Sequence, residues 1–180
     1  LKDKGLLPEM VQVANELTNG LLWPGGKKPE FDRIAKYLNA GIRAVREIQA
    51  DIPIMIHLDN GGFNEMYVEW FDEFTKRAEP FDIIGLSYYP FWHGTMEDYR
   101  DREGKPLDQL KGMATKPELV EKLDYPMTKE GQTSFMKDLM ELIADIPGGE
   151  GFYYWEPAWI PVPGCGWATE AALAYIGEKG

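Results

Sequence analysis

The side chains best placed to do chemistry in this sequence stand at the ends of short apolar runs. Asn15-Glu16 closes the run Met10-Val11-Gln12-Val13-Ala14, and His57-Leu58-Asp59 closes Pro53-Ile54-Met55-Ile56. Ser87, Tyr88 and Tyr89 end a run that starts at Phe81, and Tyr153-Tyr154-Trp155-Glu156 ends one that starts at Gly151. A carboxyl, an imidazole, hydroxyls and flat rings are the equipment for cleaving an acetal. That reaction needs a proton donor at the leaving oxygen and a carboxylate on the opposite face of the sugar. Glu16 fits the donor, because a partly desolvated carboxyl stays protonated near neutrality. Trp155 fits the floor under the ring, while His57, Asp59 and Tyr89 fit the holding of hydroxyls or the orienting of a carboxylate. Plainer roles stay open: a polar residue ending a strand commonly bonds a loop, and an isolated His more often fixes structure. A zinc centre is not evident, since only His93 adds a second imidazole to His57 and Asp59.

The elements that must position these residues alternate. Strand-like runs at 10–14, 53–59 and 81–89 are separated by helical stretches at 30–49 and 64–77. The first helix carries Phe31, Ile34, Leu38, Ile42, Val45 and Ile48 at three-to-four spacing; the second carries Met66, Trp70, Phe71 and Phe74 near one face. Nearly continuous apolar strands between helices predict a parallel sheet covered by helices. In barrels of that kind the C-terminal strand ends build the active site. Side chains alternate along a strand, so parity assigns faces. Gln12, Ala14 and Glu16 then share the interior face, with Met55, His57 and Asp59, with Gly85, Ser87 and Tyr89, and with Tyr153 and Trp155. Val11, Val13, Ile54, Ile56, Leu58, Ile84 and Leu86 face the helices. One rule gathers Glu16, His57, Asp59, Tyr89 and Trp155 at one mouth.

Beyond Thr95 the regularity stops. Residues 99–126 read as a long charged loop with a short helix near 117–123, unusual for a compact domain. A helix over 129–144, a strand over 151–156, a loop over 157–166 and a helix from near Ala168 complete the chain. Its 180 residues suit one domain but fall short of the roughly 250 of a complete (β/α)8 barrel. The net charge of −11 argues against nucleic acid and anionic membranes and leaves a neutral polymer acceptable. The lone Cys165 allows no intrachain disulfide, and no apolar run approaches the roughly 20 residues that span a bilayer. The chain opens on Leu1 with no visible signal peptide, which says nothing about its compartment. Six Trp and nine Tyr cluster at Trp23, around Tyr88 to Trp92, and from Tyr153 to Trp167, as in a sugar cleft or in ordinary packing.

Four segments resemble a known family. Val11-Gln12-Val13-Ala14-Asn15-Glu16-Leu17-Thr18-Asn19-Gly20-Leu21-Leu22-Trp23-Pro24 looks like the fourth-strand motif of the family 53 glycoside hydrolases. Ile56-His57-Leu58-Asp59-Asn60-Gly61-Gly62 resembles the fifth strand, 81–94 with its Tyr88-Tyr89-Pro90-Phe91-Trp92-His93 the sixth, and Tyr154-Trp155-Glu156-Pro157-Ala158-Trp159 the eighth. The likeness covers 1–94 and about 125–180. It implies an incomplete (β/α)8 barrel as a single partial domain over 1–180, and retaining endo-hydrolysis of β-1,4 bonds in the galactan of pectin. It also implies an extracellular or periplasmic place. Glu16 becomes the acid/base and Asn15 a contact to the hydroxyl beside the reacting carbon; Ala14 stands where Gly is commoner. The candidate sugar contacts are Asn15, Trp23, His57, Asp59, Ser87, Tyr89, Trp92, His93 and Trp155.

One part of the pattern is missing. The family's nucleophile is a Glu ending its seventh strand, and this chain has no such strand: Gly94-Thr95-Met96-Glu97-Asp98 runs directly into Tyr99-Arg100-Asp101-Arg102-Glu103. An internal deletion near 97–99 is expected, besides the absence of strands one to three. Glu97, Asp98, Asp101 and Glu103 have no barrel strand to fix them, and Glu156 has the opposite parity to Trp155. Galactan hydrolysis by this chain is therefore expected to be weak or absent. Two alternatives remain, a non-catalytic galactan-binding remnant and another barrel glycosidase acting on mannan or xylan. No cofactor is expected. Some members of the family bind calcium in the corresponding loop, but Asp101, Glu103 and Asp108 lack a dense run of Asp/Asn oxygens. Open strand edges would favour self-association; the oligomeric state is not legible.

Overall fold

The structure is a computed structural model that describes residues 2–90, 124–126 and 128–155. The chain divides into two compact units, Leu1–Lys105 and Pro106–Gly180. In the first, β1 (Val11–Gln12), β2 (Gly20–Leu21), β3 (Gly26–Lys27), α1 (Phe31–Ile48), β4 (Ile54–Leu58), α2 (Asn64–Thr75) and β5 (Ile83–Leu86) follow one another. Strands β1, β4 and β5 form a three-stranded sheet in that order. Both pairings are parallel, with Gln12 opposite Met55 and His57 opposite Gly85. Each parallel step is bridged by a helix, as parallel neighbours require. The short antiparallel pair β2–β3 stands apart as a second sheet.

Burial follows the expected alternation in β4. Ile54, Ile56 and Leu58 are fully buried in one cluster with Ile34, Leu38 and Ile42 of α1 and Trp70 and Phe74 of α2. The opposite face of β4 presents Met55, His57 and Asp59. Trp70 centres the cluster: Phe31 and Phe71 meet its ring edge-on at 5.7 and 5.1 Å, and Phe74 lies at 5.0 Å. Its indole N–H donates to the Leu17 carbonyl at 3.1 Å, so the residue just after Glu16 is tied directly to the core.

At the base of the sheet Asp82 acts as a clamp. Its N–H donates to the Ile54 carbonyl at 2.9 Å. Its Oδ2 accepts from the Ile54 N–H at 2.8 Å and from Arg46 at 2.7 Å. The Ile54 hydrogen bond, aided by the Arg46 guanidinium, holds the Asp82 carboxyl below its ordinary value.

Several expectations need correction. The first strand spans only Val11–Gln12, because Ala14 and Glu16 take left-handed backbone at φ 65° and 52°. The third spans Ile83–Leu86 rather than 81–89, and α2 stops at Thr75. Ile48 closes α1 on an exposed position. Ile84 and Leu86, assigned to the helix-covered face, are 52% and 41% exposed.

In the second unit α3 (Lys129–Asp145) begins on Thr128, whose side chain accepts from the Gly131 N–H. A hydroxyl in that position satisfies one of the free N–H groups of a helix start. Tyr125 packs edge-on against Phe135 at 5.5 Å and donates to Asp138 at 2.7 Å. Residues 151–155 are not a strand. The run is rich in residues that favour strands, but it pairs with no strand among the described residues, and β propensity without a partner makes no strand. The parity of Tyr153 and Trp155 therefore fixes no common face. The expected loop, helix and acidic residues between 91 and 123, together with Glu156 and everything after it, lie outside the described residues.

Candidate active site

The polypeptide leaves β1 through Ala14-Asn15-Glu16, turns into the short 3-10 helix Leu17–Asn19, and places Glu16 beside the C-terminal ends of β4 and β5. Its backbone N–H donates to His57 Nδ1 at 3.1 Å. Its Oε1 accepts from the Ser87 hydroxyl at 2.8 Å, and the same hydroxyl lies 3.2 Å from His57 Nε2. Glu16, His57 and Ser87, from three different strand ends, thus form one closed polar cluster. Glu16 is exposed rather than partly desolvated. His57 is buried, and that burial pushes its imidazole below the ordinary 6.5 against the opposing pull of Glu16 and Asp59.

Backbone contacts set the positions. The Ser87 N–H donates to the Leu58 carbonyl at 3.0 Å and the Gly61 N–H to the Ser87 carbonyl at 2.7 Å, extending the β4–β5 pairing past the last strand residues. Gly85 leaves room for the imidazole: a Cβ there would overlap Met55 and come 3.1 Å from His57 Cδ2.

Asp59 closes the same strand end. Its Oδ2 accepts from Asn60 at 2.7 Å, while its Oδ1 is buried with no hydrogen-bond partner. Its carbonyl receives Tyr67 at 3.1 Å and Thr18 at 3.5 Å. Asn15 is held by Gln12, whose amide donates to Asn15 Oδ1 at 2.9 Å and to the Ala14 carbonyl at 2.7 Å. Trp23 presents an exposed ring, anchored by its N–H to the Asn19 carbonyl at 3.0 Å, with Lys27 Nζ 4.6 Å from the ring centre. Tyr89 is partly buried.

Of the residues expected at the mouth, Glu16 and His57 stand together, joined by Ser87 from the same expected face. Trp155, in the second unit, is 72% exposed, while Trp92 and His93 lie outside the described residues. Gln12, Tyr67 and Thr18 were not anticipated. Gln12 could have been found, since parity puts it on the interior face; the other two act through backbone carbonyls, which leave no trace in sequence. Among the described residues no cluster of three or more His, Cys, Asp or Glu could hold a metal ion. No helix among them is long and apolar enough to cross a membrane.

The sequence profile of Glycosyl hydrolase family 53 matches residues 1–106 and 104–175 in two segments. A Niallia circulans protein, described only by its place in the bgaB 5' region, is 40% identical over 193 residues, covering 89% of this chain and 52% of the relative. Those 193 positions exceed the 89% of 180 residues that they draw on, so the relative has residues inside the matched span that this chain lacks. The Endo-beta-1,4-galactanase of Bacillus subtilis is 30% identical, covering 94% of this chain and 47% of the relative. The chain therefore spans about half the length of the curated relatives it matches. Among solved structures, the Ignisphaera aggregans GH53 catalytic domain superposes with a TM-score of 0.78 at 32% identity, covering 93% of this chain and 53% of that one. Such domains are (β/α)8 barrels, and β1, β4 and β5 with their crossover helices are an arc of that barrel.

Proposed function

The chain belongs to glycosyl hydrolase family 53, and from that premise we propose that it carries the acid/base side of an endo-β-1,4-galactanase site without the nucleophile that completes it. The observation behind this reading is the Glu16 carboxyl, tied to Ser87 at 2.8 Å at the C-terminal edge of parallel strands. That edge is where barrel enzymes assemble catalytic groups. Glu16 would protonate the leaving glycosidic oxygen, Asn15 would hold the neighbouring hydroxyl, and the exposed Trp23 ring would stack on a sugar face. Asp59, Tyr89, Trp92, His93 and Trp155 complete the proposed sugar contacts.

Retaining hydrolysis needs a second carboxylate about 5–5.5 Å from the first. In the family pattern it ends the seventh strand. The profile match breaks into two segments around 104–106, a few residues beyond the junction expected from the sequence, which supports a deletion there. Two carboxylates and water suffice for the reaction, so it takes no cofactor. A polymeric pectic substrate places the protein outside the cytoplasm. The binding-remnant reading keeps the same site and sugar and makes galactan binding, rather than hydrolysis, the chain's function. The mannan or xylan reading differs in the sugar.

Affinity for linear β-1,4-galactan, β-1,4-mannan and β-1,4-xylan oligosaccharides separates the galactan readings from the mannan or xylan one. Binding of galactan, weakened by Trp23→Ala, is the expected result. A preference for mannan or xylan, or galactan binding that ignores Trp23, would overturn the assignment.

A further inference from the structure

His57 stands among the candidate sugar contacts, yet it is buried and both of its ring nitrogens already face protein partners. The Glu16 N–H can only donate, so the Nδ1 that receives it at 3.1 Å carries no proton. A neutral imidazole with a bare Nδ1 must carry its proton on Nε2. Nε2 therefore donates to Ser87 Oγ across 3.2 Å. With one lone pair engaged, the Ser87 hydroxyl turns its own proton to Glu16 Oε1, 2.8 Å away. Every donor in this sequence is determined by the one before it, and the first is the backbone of Glu16 itself.

We propose that His57 is a positioning residue: fixed as its Nε2–H tautomer by the Glu16 N–H, it drives a one-way relay of hydrogen bonds through Ser87 that commits Glu16 Oε1 as an acceptor and leaves Oε2 to carry the proton of the acid. The proposal rests on the reading of Glu16 as the acid/base, but its geometry does not involve sugar. The relay also accounts for the backbone. Glu16 takes a left-handed conformation at φ 52°, which costs a non-glycine residue of this kind stability that the surroundings must return. A buried acceptor for its N–H supplies that return. Among the described residues the charged groups facing the ring are Glu16, from the end of β1, and Asp59, from the end of β4. Strand β5 presents the uncharged Gly85 and Ser87. Protonation of His57 would put a hydrogen on Nδ1, remove the acceptor, and release Glu16 at both its backbone and its carboxyl.

The full chain has only two His, so a long-range proton–nitrogen correlation spectrum of the labelled protein reads the tautomer directly, with His93→Gln assigning the signals. At pH 8 the expected state is a protonated Nε2 and a bare Nδ1 on His57; the opposite tautomer would overturn the proposal without any variant. Amide exchange gives the second reading. Loss of the acceptor in His57→Ala should speed exchange at Glu16 about tenfold, and His57→Asn, which keeps an oxygen near the Nδ1 position, should restore protection. Equal rates in all three would contradict the relay. In Ser87→Ala the Glu16 side-chain couplings should average over rotamers while the His57 tautomer persists. A flipped tautomer there would show that Ser87, not Glu16, sets the ring. None of these signals depends on galactan binding, so failure of the relay and failure of the galactanase reading are separate results.

Discussion

Glu16 owes its place to contacts rather than to strand alternation. Parity predicted that it would share the interior face with Gln12 and Ala14, but left-handed backbone at Ala14 and at Glu16 itself breaks the alternation. It nevertheless arrives beside His57 and Ser87. Residue types at the strand ends were legible; the bonding order among them was not, because it depends on a backbone N–H and on conformations that non-glycine residues seldom adopt. The His57 environment has a consequence for stability. Burial lowers its pKa from 6.5, so between the lowered value and 6.5 the unfolded chain binds more protons than the folded one. The contribution is complete above 6.5 and is lost as pH falls through that window. Urea midpoints of the parent and His57→Asn should diverge by a pH-dependent amount, the parent losing more stability between pH 7 and pH 5. A constant difference between the two would contradict the assignment.

Strand β4 and helix α1 were the most readable elements, because their periodicities agree with what they bury. Ile54, Ile56 and Leu58 alternate toward the same core that Ile34, Leu38 and Ile42 enter at helical spacing. The run at 151–155 shows the converse: aromatic and extended-favouring residues with no ladder partner among the described residues are not a strand. Two substitutions probe how the strands hold the site. Gly85→Ala would force its new methyl against Met55 and the His57 ring, with an expected loss of about 1–3 kcal/mol and a shifted His57 imidazole resonance. Unchanged stability and spectrum would mean that the β4–β5 spacing is not what seats the ring. Asp82→Ala would leave the Ile54 N–H without its side-chain acceptor. The expected cost is about 1 kcal/mol at neutral pH, measured by urea unfolding. Because the Asp82 pKa is lowered from 3.8, that difference should be present above 3.8 and fade as pH falls through the lowered value. Persistence of the full difference in strong acid would point to another cause.

At the scale of the whole molecule, the proposed function separates family membership from catalytic competence. The family profile runs over most of the chain, and the net charge of −11 suits a neutral polysaccharide better than a polyanion. The proposed acid/base side stands at the first unit's strand ends. In the proposed reading the carboxylate that should face it belongs to the strand expected to be deleted, and losing that strand would remove chemistry while leaving much of the sugar-facing sequence in the chain. The most direct test is the release of reducing ends from linear β-1,4-galactan by this chain, run beside Glu16→Gln at matched concentration. The account predicts no release above the blank from either protein, with galactan binding retained. Release by the parent that Glu16→Gln abolishes would confirm Glu16 as the acid/base and contradict the absence of the nucleophile.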